Sequence, residues 1–162
     1  MCVRAFWLRP LSQKMKILLA PFAAPQPYSK RPNAKNYPFT AKLVCLLEGH
    51  DLMQIGGSHD PQIVPVFKQN PSHKETESLL QQCDTFIAVD SYLQHAAWAI
   101  GKPGIVLWGP SDPLIFGHDL HTNLFKSRIY LRPNQFLNWE DVSPRSEAFV
   151  DPEVVVKHLT SR

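Results

Sequence analysis

The chain has 162 residues, of which 44% are hydrophobic and 19% charged, and its 17 Lys and Arg against 14 Asp and Glu leave a formal charge of +3. This composition excludes an intrinsically disordered chain, which combines low hydrophobicity with high net charge, and the small basic excess argues against a nucleic-acid-binding domain. The length suits one domain with a single core. Its 15 prolines against 7 glycines predict stiff, extended connections.

The cysteines and the apolar runs indicate the cellular compartment. The 3 cysteines are odd in number and show no Cys-x-x-Cys spacing, which favours buried, reduced thiols over a disulfide. No apolar run approaches the ~20 residues of a membrane span, and residues 1–10 lack the features of a signal peptide. We therefore expect a cytoplasmic protein, with a tail over residues 1–15 that carries Phe6, Trp7 and Leu8.

The first third of the chain predicts two strands around a loop and a helix. The continuous apolar run 17–20 is typical of a strand buried on both faces. Residues 23–38 are predicted to form a basic, proline-rich loop, and a loop of this length is usually functional or disordered. Leucines at helical spacing predict a helix over residues 39–48, and residues 51–57 predict a strand that runs into a glycine-rich turn.

The middle of the chain continues the alternation of strands and helices. A third short strand is predicted over residues 63–67. The sequence Ser72-His73-Lys74-Glu75 has the form of a capping box that opens a helix through Gln82. Residues 85–89 predict another strand buried on both faces, and residues 91–100 predict the helix that follows it.

The last third predicts strands over residues 104–108 and 127–131, and a final helix that begins at Asp151-Pro152. Alternating helices and apolar strands argue for an α/β fold, with a parallel sheet covered by helices on both faces. Such sheets bind ligands outside the carboxyl ends of their strands. Functional residues are therefore expected in the loops that follow residues 20, 55, 89 and 108.

One segment joins a strand end to a helix start. The predicted strand delivers Asp90 to its carboxyl end and Ser91 opens the helix, so the first helical amides point outward. Such a helix end suits an anion such as phosphate, and His95 lies one turn further on, where it can donate a hydrogen bond to a phosphate oxygen. The same residues also fit a plain helix cap, with His95 in the core or beside the site.

The chain continues through Ala96, Ala97, Gly101 and Pro103 to Gly109-Pro110-Ser111-Asp112-Pro113. Together with Asp90, Ser91, Leu93 and His95, this pattern resembles the C-terminal domain of glycosyltransferase family 9, the ADP-heptose:lipopolysaccharide heptosyltransferases. In that family a strand ends in Asp-Thr/Ser-Gly-x-x-His, and Gly-x-Pro, a strand and Gly-Pro-Thr/Ser-Asp-Pro follow. One position departs from the pattern: Tyr92 stands where the family has glycine, and its bulk is expected to crowd the sugar or the diphosphate.

An earlier region follows the order of the same family. The family's domain opens with a strand, a loop that ends in Lys-x-Trp-Pro, a helix and a strand that ends in glycines, and Lys35-Asn36-Tyr37-Pro38 stands in the corresponding place. The resemblance implies that Lys35 contacts phosphate, whereas a lysine in a long loop is otherwise a solvated charge. It also implies that Gly56, Gly57 and Asp60 border the nucleotide, with Asp60 accepting a hydrogen bond from a ribose hydroxyl.

The resemblance implies a Rossmann-like domain over residues 16–162, equivalent to the donor-binding half of a GT-B glycosyltransferase. It would bind an ADP-linked or similar nucleotide-diphosphate sugar, without metal or cofactor, for transfer to a glycan or lipopolysaccharide acceptor. The general base would come from a separate acceptor-domain polypeptide or from a second copy in a homodimer. The implied contacts are Lys35, Ser91, Tyr92, Leu93 and His95 for the diphosphate, Asp90, Asp112 and His118 for the sugar, and Gly56, Gly57 and Asp60 for the nucleotide.

Two functions remain open from the sequence: a glycosyltransferase, and a non-catalytic module that binds a nucleotide or nucleotide sugar. Other chemistries have weaker signals. His118 and His121 stand three apart but lack a third ligand at metal spacing. The basic loop has too few interleaved aromatic residues to predict RNA binding. Trp98 and Trp108 are predicted to lie in the core, whereas Trp139 has no clear periodic context.

Overall fold

Six short segments form one parallel sheet. In this computed structural model, which describes residues 13–25, 32–136 and 142–161, the strands are β1 (Lys16–Ala20), β2 (Asp51–Gly56), β3 (Phe67–Gln69), β4 (Thr85–Val89), β5 (Ile105–Trp108) and β6 (Thr122–Phe125). They lie in the order β3-β2-β1-β4-β5-β6, and every neighbouring pair is parallel. The predicted α/β class is therefore confirmed.

The described residues form five α-helices: α1 (Thr40–Leu46), α2 (His73–Gln82), α3 (Tyr92–Ala99), α4 (Pro113–Phe116) and α5 (Pro152–Thr160). The first four lie between strands, and α5 follows β6. The predicted capping box opens α2: the hydroxyl of Ser72 accepts from the amide of Glu75 at 3.3 Å, and the Glu75 carboxylate accepts from the amide of Ser72 at 2.8 Å. After α3, Gly101 adopts a φ of +70°, which strains any residue with a side chain and ends the helix as predicted.

Helices cover both faces of the sheet. Consecutive residues of a strand point to opposite faces, so β1 and β4 are apolar on both faces except at their first residues, Lys16 and Thr85. One face packs against α1 and α5, and its buried side chains include Ile17, Leu19, Leu43, Ile87, Ile105, Val155 and Leu159. The other face packs against α2 and α3, and its buried side chains include Leu18, Leu80, Phe86, Leu93, Ala97, Val106 and Trp108.

The strand predicted over residues 63–67 is wrong except at its last residue, since β3 begins only at Phe67. The side chain of Gln54 holds the preceding segment, and its Oε1 accepts from the amide of Ile63 at 2.9 Å. Pro65 has no amide hydrogen for a sheet ladder. The chain therefore approaches β2 through a side-chain contact before it pairs with that strand.

The strand predicted over residues 127–131 is also wrong. Arg128–Tyr130 is a 3-10 helix, in which the hydroxyl of Ser127 accepts from the amide of Ile129 at 3.4 Å. The strand on this side of the sheet is β6, which comes earlier and buries only Leu124. An edge strand with one buried residue lacks the continuous apolar run that marks the central strands.

Two cysteines in the described part of the chain differ in state. Cys83 is a free thiol whose pKa is raised by burial, as expected for a reduced cysteine. Cys45 is disulfide-bonded, so the expectation of reduced thiols is wrong there, and one observation behind the cytoplasmic prediction no longer supports it. Within the described residues, no helix has the length and apolar character needed to cross a membrane. Phe6, Trp7, Leu8 and Trp139 lie outside the described residues.

Candidate functional site

The order of the strands reverses between β1 and β4, the two central strands of the sheet, and the carboxyl edge at this point is called the crevice below. The chain leaves β1 towards β2 on one side and leaves β4 towards β5 on the other, so the loops at their carboxyl ends diverge. Open parallel sheets bind ligands at this reversal of strand order. The two loops begin at Pro21 and Asp90, and both belong to the edge that the sequence predicted to be functional.

The loop after β1 is held close to the end of that strand. The side chain of Asn36 accepts from the amide of Ala23 at 2.8 Å, and the amide of Tyr37 donates to the carbonyl of Pro21 at 2.9 Å. The ring of Tyr37 is buried, and its hydroxyl donates to the carbonyl of Val150 at 2.9 Å. These contacts bring residues 33–37 back over the crevice, although the preceding loop is long.

Lys35 is thereby placed beside Asp90. Its Nζ lies 3.3 Å from Oδ2 of Asp90, and Oδ1 of the same carboxylate accepts from Nε2 of Gln94 at 2.8 Å. Asp90 and Gln94 are buried, and the side chain of Lys35 is 29% exposed. The amine therefore faces solvent on one side and a buried carboxylate on the other. Sequence reasoning did not identify Gln94 as a partner of Asp90.

The start of α3 lies at the same crevice. Ser91 is the residue before the first turn, its backbone is extended, and its side chain makes no capping hydrogen bond. Leu93 is buried, so only its backbone could meet a ligand. Tyr92 is 49% exposed, and its hydroxyl lies 2.5 Å from Nδ1 of His73 at the start of α2. Tyr92 therefore links the first turns of two helices.

Two histidines and a tryptophan meet further along α3. Nδ1 of His95 lies 2.8 Å from Nε2 of His118, and the His118 ring stacks on Trp98 with centroids 4.5 Å apart. Burial, followed by the nearby His118, lowers the pKa of His95, which keeps its imidazole neutral at neutral pH. Trp98 is 54% exposed, so its predicted place in the core is wrong, whereas Trp108 is fully buried as predicted.

Asp112 follows β5 and opens α4. Its Oδ1 accepts from the amide of Leu114 at 3.0 Å, and its carboxylate receives two hydrogen bonds from the guanidinium of Arg128, at 3.1 and 2.7 Å. These bonds, with that from Arg128 the strongest influence, lower the pKa of Asp112. The sequence did not single out Arg128, because the segment that carries it was predicted to be a strand.

The glycine turn after β2 forms a separate group. Oδ2 of Asp60 accepts from the amide of Gly57 at 2.7 Å, and a Cβ placed on Gly56 would lie 2.2 Å from that same oxygen. The glycine at 56 therefore makes room for Asp60. Between described residues, no hydrogen bond joins this turn to Lys35 or to the start of α3.

The chain is similar to one known family over part of its length. The sequence model of glycosyltransferase family 9 (heptosyltransferase) matches residues 72–131. This range runs from the cap of α2 to the residue after the 3-10 helix, and it includes Asp90, His95 and Asp112 but neither Lys35 nor the glycine turn. Searches of curated proteins and of solved structures gave no match. Among the described residues, no group of three or more His, Cys, Asp or Glu side chains is placed to hold a metal ion.

We predict that Asp112→Ala lowers the free energy of unfolding by about 0.5–2 kcal/mol, because it removes the cap of α4. Asp151→Ala is the matched control, since Asp151 precedes α5 but makes no side-chain capping bond, and a smaller loss is expected. Because the pKa of Asp112 is lowered in the folded state, its contribution is present above about pH 4 and is lost as the pH falls below that value. Urea unfolding at pH 7 and pH 3 measures both effects, and equal losses for the two variants at pH 7 would contradict the prediction.

Proposed function

We propose that this chain binds a nucleotide-diphosphate sugar as the donor-binding half of a family 9 glycosyltransferase, for transfer of the sugar to a glycan or lipopolysaccharide acceptor. The position of Lys35 carries the proposal, because its amine lies 3.3 Å from Asp90 at the crevice between β1 and β4. A cation beside a helix start, at the reversal of strand order, suits a diphosphate. The family match over residues 72–131 supports the reaction class.

The diphosphate would lie between Lys35 and the first turn of α3. The side chain of Ser91 leaves the first amides of this helix uncapped, so they can donate to a bound anion. An ammonium group has three donor hydrogens, and Lys35 can therefore bind a phosphate oxygen without losing Asp90. Fixed donors of this kind stabilise the charge that develops on a leaving diphosphate.

The sugar would lie near His95 and His118. Both imidazoles can exchange hydrogen bonds with hydroxyl groups, and the lowered pKa of His95 favours its neutral form, which can both donate and accept. Asp112 would act here together with Arg128, whose side chain is 59% exposed although the carboxylate that it binds is buried. The pair would place a guanidinium near the sugar, where the family resemblance implied the carboxylate of Asp112.

The nucleotide would occupy the turn after β2. Oδ2 of Asp60 is bound to the amide of Gly57, which leaves Oδ1 to accept from ribose hydroxyls. Burial, the largest influence, raises the pKa of Asp60. Because Asp60 is held at a fixed position above Gly56, it would define one end of the nucleotide pocket, and Lys35 would define the other.

The alternative, a non-catalytic nucleotide or nucleotide-sugar binding module, is favoured by the state of the carboxylates. Each of the three carboxylates already accepts hydrogen bonds within the chain. Asp60 accepts from Gly57, Asp90 accepts from Lys35 and Gln94, and Asp112 accepts from Arg128. A general base must lie about 2.6–3.2 Å from the acceptor hydroxyl, whereas these three carboxylates are proposed above to lie beside the donor. The transfer step would therefore require a base from a partner polypeptide or from a second copy of this chain.

A panel of nucleotide diphosphates and their sugars tests the donor site. We expect ADP or an ADP-sugar to raise the melting temperature, since a ligand at a hundred times its Kd stabilises the folded state by about 2.7 kcal/mol. UDP, GDP and inorganic diphosphate serve as comparison ligands in the same thermal-shift assay. If no member of the panel raises the melting temperature at millimolar concentration, the proposed donor site is wrong.

Lys35→Ala should weaken nucleotide-diphosphate binding by about 10- to 150-fold, because it removes a charged hydrogen bond worth about 1.5–3 kcal/mol. Lys14→Ala is the matched control: Lys14 forms an exposed ion pair with Asp51, at 2.6 Å, at the opposite edge of the sheet. Isothermal titration calorimetry gives the affinities, and circular dichroism verifies that both variants fold. If the two variants bind the nucleotide diphosphate with equal affinity, Lys35 does not contact the ligand.

The chain alone should bind the donor without transferring the sugar. Large apolar side chains near the site remain exposed, with Leu114 at 82%, Ile129 at 76% and Phe136 at 74%, and an acceptor-binding partner could cover them. Release of nucleotide diphosphate from an ADP-sugar, measured with a lipopolysaccharide fragment as acceptor, should therefore require a second polypeptide or a dimer. Turnover by a demonstrated monomer would contradict this expectation and would show that the chain supplies its own base.

A further inference from the structure

Two side chains of the described chain hold the carboxylate of Asp90. Its Oδ2 lies 3.3 Å from Nζ of Lys35, and its Oδ1 accepts from Nε2 of Gln94 at 2.8 Å. Among the described residues, no other group donates a hydrogen bond to this carboxylate. The terminal torsion of an aspartate is soft, so these two contacts determine the plane in which its oxygens lie.

Gln94 is the more rigid of the two partners. It is completely buried, whereas the side chain of Lys35 is 29% exposed and has a flexible four-carbon stem. Gln94 lies in the first turn of α3, four residues after Asp90, and its backbone carbonyl accepts from Nε2 of His121 at 2.9 Å. The helix and the contact with His121 therefore fix the point from which Gln94 reaches Asp90.

The chemistry of the contact determines which way the amide of Gln94 points. An ionised carboxylate can only accept hydrogen bonds, so the nitrogen of the amide must face Asp90. Oε1 of Gln94 is buried and, in the part of the chain that the structure describes, has no hydrogen-bond partner. A buried unpaired oxygen costs stability, so the bond to Asp90 is the one polar interaction that this side chain contributes.

We propose that Gln94 is a positioning residue of the donor site: it orients the carboxylate of Asp90, which in turn orients the amine of Lys35 for a bound diphosphate. The inference rests on the donor site proposed above, in which Lys35 contacts phosphate. An ammonium that donates one hydrogen to a fixed carboxylate keeps two more for its solvent-facing side. A donor that is fixed in advance stabilises developing charge without reorganising. Gln94 thus acts on the ligand without touching it.

The reactivity of Lys35 tests this role without any ligand. Gln94→Met keeps the length of the side chain and removes the donor. We expect it to raise the rate at which acetic anhydride acetylates Lys35 about two- to tenfold, the equivalent of one hydrogen bond, because the amine turns from Asp90 to solvent. Peptide mass spectrometry gives the rate, with Lys14 of the same molecule as the reference. If circular dichroism shows that this variant does not fold, Gln94→Leu takes its place.

Gln82→Met is the matched control. Gln82 donates to Oγ of Ser78 at 2.8 Å across the same four-residue spacing, but it is exposed, so its replacement should leave the rate at Lys35 unchanged. In an Asp90→Asn chain, Gln94→Met should cause no further increase, since Gln94 acts only through the carboxylate. An unchanged rate after Gln94→Met, or an equal increase with and without Asp90, would overturn the proposal.

Calorimetric titration with ADP separates the role of Gln94 from the donor site itself. Gln94→Met should weaken the binding of ADP about two- to tenfold. The double variant Gln94→Met/Lys35→Ala should bind ADP no more weakly than Lys35→Ala alone, because Gln94 acts through Lys35. Faster acetylation of Lys35 in a chain that binds no nucleotide would refute the donor site. Nucleotide binding with unchanged acetylation would refute the role of Gln94.

Discussion

The parallel pairing of β1 with β4 is the constraint on which the rest of the molecule depends. It aligns Ile17 with Thr85 and Ala20 with Ala88, although these segments are far apart in the sequence. Both strands are buried almost completely, so the hydrophobic effect drives their association, and their backbone groups must pair because water is excluded. Their carboxyl ends then lie side by side, and the loops that carry Lys35 and Asp90 leave the sheet at neighbouring points. An apolar pairing in the core thus determines where a polar pair meets at the surface.

The parts of the fold that the sequence predicted are those encoded by local signals. The central strand β4 is a short apolar run, and the capping box at Ser72 needs only two side chains three residues apart. The strand β6 was missed because only one of its residues, Leu124, is buried, so it lacks a continuous apolar run. Its conformation depends on pairing with β5.

The candidate site shows the same limit. Asp90 and Ser91 could be placed by their position between a strand and a helix. Lys35 could be placed only by family resemblance, since its location depends on contacts of Asn36 and Tyr37 with residues on the other side of the loop. The sequence analysis placed Trp98 in the core, yet its exposed ring stacks on His118, which lies in a loop after α4. Such a contact is formed by the tertiary fold and leaves no trace in helical spacing.

The edge strand β3 affects how copies of this protein associate with one another. It has only three residues, of which the central one is Lys68, and the amine of Lys68 lies 3.0 Å from the carboxylate of Glu75 at the start of α2. The amide of Ser72, followed by Lys68, lowers the pKa of Glu75 to about 2, so this carboxylate stays ionised in any ordinary buffer. Because β3 is short, it presents few free backbone groups to another strand. Because it carries this ion pair, the surface that it presents is also charged. Growth of the sheet from one molecule into the next, the first step of ordered aggregation, is therefore opposed at this side of the protein.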